Sequence, residues 1–209
     1  MPTLEWLGKE KVINHHQEVP FRVLDRQYSF DENGQHAEDN GSENMIIHGD
    51  NLEALKALLP RFEGQVKCIY IDPPYNTGNE NWVYNDNVND PKIKKWLGEV
   101  VGKEGEDLTR HDKWLCMMYH RLKLLQKLLA EDGCLIISIG HHELNNLITL
   151  LREIFGSKQI VSREKIELGA AWRNVAGNQY RYYMLFRDEE NLPHGAVSMG
   201  QFLETIKAL

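Results

Sequence analysis

Four consecutive residues, Asp72-Pro73-Pro74-Tyr75, carry the sharpest chemical signal in the chain. They follow the β-rich run Val66-Lys67-Cys68-Ile69-Tyr70-Ile71, which two prolines must end because neither can donate to a strand ladder. With no N–H on either proline, the backbone there offers carbonyl oxygens without neighbouring donors, and Asp72 adds a carboxylate. An acceptor cluster of this kind suits hydrogens arriving on an amino group. Tyr75 adds a flat amphipathic face on which a planar ring can stack, with a hydroxyl able to reach water. The combination fits the exocyclic amine of a nucleobase, at a strand end of the sort where open α/β sheets bind ligands. A strand followed by a proline turn explains the same residues without any ligand.

The elements that must hold this tetrapeptide are readable around it. Met45-Ile46-Ile47-His48 is a strand candidate, followed by the turn Gly49-Asp50-Asn51 and a helix with Leu52, Leu55, Leu58 and Leu59 at helical spacing. Asp50 with Glu53 three residues later reads as an N-cap with a capping box. A longer amphipathic helix carries Leu115, Met118, Leu122, Leu125 and Leu129 on one stripe, and Asp132-Gly133 reads as its C-cap. Cys134–Ile139 follows as a strand, then a helix over Glu143–Phe155 and two strands, Ile160–Ile166 and Tyr180–Phe186. This alternation predicts an α/β fold with a parallel, doubly wound sheet and an antiparallel final hairpin. Residues 76–111 are long and polar for a connection, with Lys92, Lys94, Lys95, Lys103 and Arg110 offset by Asp86, Asp90, Glu99, Glu104, Glu106 and Asp107. Their mixed signs predict a solvated loop, in which Trp82 and Tyr84 either stack on bases or pin the loop to the core.

Composition narrows the classes. A chain of 209 residues with 42% hydrophobic and 26% charged residues suits one globular domain with a proper core. Its net charge of −7 argues against holding nucleic acid by bulk charge, so any such contact must be local or need another chain. No apolar run, Cys134–Ile137 included, approaches the ~18–20 residues of a membrane span, and no secretory signal opens the chain, so a cytoplasmic protein without membrane contact is expected. Cys68, Cys116 and Cys134 lie in apolar segments and are expected as buried free thiols. Cys116 with His120, or His141-His142-Glu143, lack a four-ligand spacing, and no metal site is expected.

The chain resembles the β-type DNA adenine-N6 methyltransferases, and within them the modification subunits of type III restriction-modification systems. The likeness rests on Pro2-Thr3-Leu4-Glu5-Trp6, Gly49-Asp50-Asn51-Leu52-Glu53-Ala54-Leu55, Ile71 through Asn79, and the stretches Trp96-Leu97-Gly98 and Leu108 through Leu115, and it runs to about Asn191. It implies a Rossmann-like S-adenosylmethionine-dependent methyltransferase sheet of the circularly permuted type. A target adenine flipped out of double-stranded DNA would give its amino hydrogens to Asp72 and the Pro73 carbonyl, with Pro74 completing the turn and Tyr75 stacking on the base. Asp50, with Asn51 beside it, would meet the adenine of S-adenosylmethionine. A second modification subunit and a restriction subunit are the partners implied. Ser138-Ile139 matches the family, whereas His141-His142 departs from the acidic and amide residues that usually follow.

The family's methyl-donor signature, an aromatic followed by Gly-x-Gly, belongs C-terminal to these motifs, and no Gly-x-Gly occurs in the chain. The expectation is therefore a sheet incomplete at its C-terminus, divided as an N-terminal polar arm (1–44), the catalytic-motif part (45–191) and a divergent tail (192–209). A truncated modification subunit is the leading reading. A non-catalytic interaction module or remnant of such an enzyme is the alternative.

Overall fold

A computed structural model of the chain describes residues 3–77, 91–102, 108–156, 159–167 and 180–187. Its elements are α1 (Lys9–Val12), α2 (His15–Glu18), β1 (Ser29–Asp31), β2 (Gly34–His36), α3 (Asn51–Phe62), β3 (Val66–Ile71), α4 (Pro91–Val100), α5 (Arg110–Leu128), β4 (Leu129–Ile139), α6 (Leu144–Phe155), β5 (Gln159–Glu167) and β6 (Tyr180–Arg187). The main sheet has the order β3-β4-β6-β5. β3 and β4 are parallel with Ile71 beside Ile137, while β6 runs antiparallel to both β4 and β5. The α/β class and the closing hairpin expected from the sequence are present. The candidate boundary at 191 and the tail beyond it lie outside the described residues.

The core forms where β4 meets the helices. Leu135, Ile137 and Ile139 on one face of β4, and Ile136 and Ser138 on the other, are all buried, as befits a central strand covered on both faces. Leu147, Leu150, Leu151 and Ile154 of α6 repeat at i, i+3, i+4 and i+7, and bury one stripe with Trp114, Leu115 and Leu122 of α5. Across α5, Leu124 and Leu128 join Leu52 and Leu59 of α3 in a second cluster. α5 is thus the buried middle helix, and its start is fixed by a capping box between Thr109 and Asp112.

Several local expectations are corrected. Met45–His48 forms no strand: Ile46 is fully exposed, and no strand among the described residues pairs with the segment. Asp132-Gly133 does not cap α5, which already ends at Leu128, but lies inside β4. A Cβ on Gly133 would sit 2.8 Å from the Val66 carbonyl oxygen, so glycine is required there by the approach of β3, not by a helix end. Part of the expected solvated loop is α4, which buries Leu97. The polar beginning of the chain is built into the core through Trp6, Val12, His16 and Val19, with Lys9 bonded to Glu153 at 2.9 Å. Cys68 is exposed on β3, whereas Cys116 is buried and Cys134 partly so. No helix among the described residues is long and apolar enough to cross a membrane.

Candidate active site

Asp72 leaves the C-terminal end of β3 immediately after the Ile71–Ile137 pairing, which sets it beside Ser138 at the end of β4. The Ser138 hydroxyl donates to Asp72 Oδ1, and the Tyr75 hydroxyl donates to the same oxygen at 2.7 Å. Tyr70 and Tyr75 hydroxyls stand 3.3 and 3.5 Å from Ser138 Oγ. Asp72 is exposed, Ser138 is fully buried, and Oδ2 accepts no hydrogen bond from the described residues. The result is a carboxylate with one oxygen fixed by hydroxyls and the other without a hydrogen bond from the described residues.

Tyr75 differs from its sequence reading. Its hydroxyl turns inward to Asp72 and not toward water, and the residue is only 5% exposed within the main core cluster. Pro73 is buried, and the Pro74 carbonyl is taken by the indole N–H of Trp114 at 2.7 Å. The next residue, Asn76, is buried in the left-handed region at φ +57°, where Asn is among the few non-glycine residues tolerated. Its side-chain amide donates to the Arg110 carbonyl at 3.2 Å and to the fully buried Glu143 carboxylate. Glu143 also accepts from His111 Nδ1 at 2.7 Å and from Asn146 at 2.8 Å. Trp114, Ser138 and Glu143 were not singled out as site residues by sequence, because each reaches the Asp72–Asn76 turn from a distant segment.

Asp50 does cap α3, accepting from the backbone N–H of Leu52 at 2.9 Å and Glu53 at 3.2 Å on Oδ1. Glu53 does not complete the box; it bonds Arg22 at 3.0 Å. Asn51 accepts from Arg121 Nε at 2.9 Å. Both residues are exposed, and the Asp50 Oδ2 and the Asn51 amide N–H make no bond to the described residues, which leaves one acceptor and one donor free. Of the charged loop, Trp82, Tyr84, Lys103, Asp86, Asp90, Glu104, Glu106 and Asp107 lie outside the described residues.

Residues 66–196 match the DNA methylase family. The chain is 34% identical over 188 residues to the Mod subunit of the type III restriction-modification enzyme EcoP15I of Escherichia coli, covering 84% of this chain and 27% of that protein. It is 36% identical over 173 residues to the EcoPI Mod subunit of Escherichia phage P1, covering 77% and 26%. Against the type II methyltransferase M.KpnI of Klebsiella pneumoniae the identity is 30% over 152 residues, covering 70% and 33%. The chain spans about a quarter to a third of the length of these relatives.

Proposed function

The chain belongs to the DNA methylase family, and on that premise we propose that its Asp72 site accepts the exocyclic amino group of an adenine for N6-methylation of double-stranded DNA. The observation that carries this reading is the half-committed carboxylate: Oδ1 held by Ser138 and Tyr75, Oδ2 open, in a turn whose two prolines lack N–H donors. In this reading Asp72 Oδ2 takes one amino hydrogen and the Pro73 carbonyl the other, which draws the nitrogen lone pair out of ring conjugation. Tyr75 orients the carboxylate and backs the base. The adenine must first leave the duplex, since its amino group is not reachable in the stack. The chain then acts by positioning and by holding acceptors where positive charge develops on the nitrogen, whose proton leaves after attack.

S-adenosylmethionine is the methyl donor in this proposal and supplies an electrophilic sulfonium methyl group. Asp50 and Asn51 fit part of it, because the cap leaves Oδ2 and the Asn51 amide N–H for the amino group and ring nitrogen of an adenine. The circularly permuted order, with the donor motif following the acceptor motif, belongs to the same proposal, as does a place in a type III modification subunit with a restriction partner. In support, β3 is an edge strand of the described sheet, and further strands can pair along its backbone.

The test is transfer of labelled methyl from S-adenosylmethionine to unmethylated DNA, with Asp72→Ala as control. Transfer that disappears in the control, by a factor of about 10³ or more, is expected of a group touching the reacting nitrogen. Transfer retained in the control overturns the role of Asp72. A folded wild-type chain that transfers nothing favours the non-catalytic module.

A further inference from the structure

We propose that Glu143 is a positioning residue for methyl transfer, holding the Asp72–Asn76 turn in its working shape through Asn76 and His111; this rests on the reading of Asp72 given above. A fully buried carboxylate survives only where donors satisfy it, and Glu143 has three, each from a different segment. Asn76 lies just beyond the proline turn, His111 in the first turn of α5 and Asn146 in the first turn of α6.

Helix capping does not account for this side chain. Glu143 occupies the N-cap position of α6 yet makes no side-chain bond to that helix's backbone. Its Oε1 instead takes both Asn76 and His111, and its Oε2 takes the Asn146 side chain. The loop needs outside clamps, because Pro73 and Pro74 have no N–H with which to tie themselves down. From outside, Ser138 bonds Asp72, Trp114 bonds the Pro74 carbonyl, and Asn76 is held by Glu143 and by the Arg110 carbonyl. Glu143 is the buried side chain that holds Asn76, the residue whose left-handed backbone sets the direction in which the chain leaves the turn. Releasing it lets Asn76 relax toward ordinary backbone angles, and the Pro74 carbonyl then moves off Trp114.

The experiment compares Glu143→Ala, Glu143→Gln and Asn76→Gly in the full chain by three readouts. These are thermal melting, the Trp114 indole N–H resonance identified by its loss in Trp114→Phe, and steady-state methyl transfer to DNA. Gln keeps one oxygen for Asn76 and His111 and can donate to Asn146 once that amide turns over, so it is expected to restore both the resonance and the rate. Glu143→Ala should shift the resonance and lower kcat about 10- to 100-fold with KM for DNA unchanged. Asn76→Gly removes the bond to Glu143, together with that to the Arg110 carbonyl, while keeping the backbone angle accessible, and gives the same signature if the Ala variant fails to fold. An unmoved resonance overturns the proposal, whether or not the wild-type chain transfers methyl; so does a moved resonance with unaltered kcat, or Gln behaving as Ala does. Retained transfer in Asp72→Ala counts against the active-site reading alone, and the resonance still judges the clamp.

Discussion

Acid should destabilise this protein through His120. The side chain is fully buried on α5, between His15 and His16 of α2 and Trp96 of α4, and its Nε2 lies 2.8 Å from Arg121 Nη1. Nε2 must keep its lone pair to accept from that guanidinium, so a proton there would set two donors face to face. Burial, then Arg121, then His15 and His16 hold the His120 pKa well below 6.5. Below pH 6.5 the unfolded chain therefore takes a proton that the folded chain refuses. Stability is intact above 6.5 and falls beneath it by up to about 1.4 kcal/mol for each pH unit over which the folded imidazole stays neutral. That is a large share of the roughly 5–15 kcal/mol typical of a folded domain. His16 and His142 are lowered mainly by burial as well and steepen the same slope. Urea midpoints between pH 7.5 and 5, compared with those of His120→Gln, measure the term, since glutamine still offers Arg121 an oxygen and does not titrate. Parallel pH dependences in the two proteins would show that His120 takes no part.

Two further outcomes follow from burial. The Cys68 thiol is drawn down to about 7 by its hydrogen bond with Cys134, its partner in the β3–β4 pairing, whereas burial pushes Cys116 up to about 11. Iodoacetamide at neutral pH should label Cys68 first, at a rate that levels off above pH 7, and reach Cys116 only on unfolding; a Cys68 rate still climbing at pH 9 would refute this. Leu147→Ala, at a fully buried position on α6, should cost about 2–5 kcal/mol in urea unfolding, and a loss under 1 kcal/mol would mean that the α5–α6 contact is not the core.

Much of the fold was legible because the signal was local. Val66–Ile71, Cys134–Ile139 and the α6 stripe announce themselves by apolar runs and spacing, and the structure has all three. Met45–His48 has strand composition too, but a strand exists only with a neighbour, and none pairs with it among the described residues. Asp132-Gly133 looks like a helix stop by propensity, yet pairing with β3 overrides propensity, and the glycine answers to the Val66 carbonyl. In α4 the charge balance hid an apolar face in which Trp96, Leu97 and Val100 recur at helical spacing. Asp72 was legible as an acceptor because its neighbours in sequence define it. Trp114, Ser138 and Glu143 were not, since they lie 40, 66 and 67 residues from the turn positions they bind.

Those distant contacts depend on one pairing. β3 and β4 are parallel, so their C-terminal ends finish together, and the alignment of Ile71 with Ile137 carries Asp72 to Ser138. β4 ends at Ile139 and α6 begins at Leu144, so the N-cap Glu143 is delivered over the same strand ends. The capping box at Thr109 fixes where α5 starts, which brings Arg110, His111 and Trp114 to bear on the turn from above. A slip of β4 by one residue would turn Ser138 onto the opposite face and remove the donor from Asp72. The same slip would displace Leu135, Ile137 and Ile139 from the core they fill completely. The burial that fixes the register of the sheet therefore also sets Asp72 beside Ser138, and the bonds from Tyr75, Trp114 and Glu143 hold the turn from that starting point.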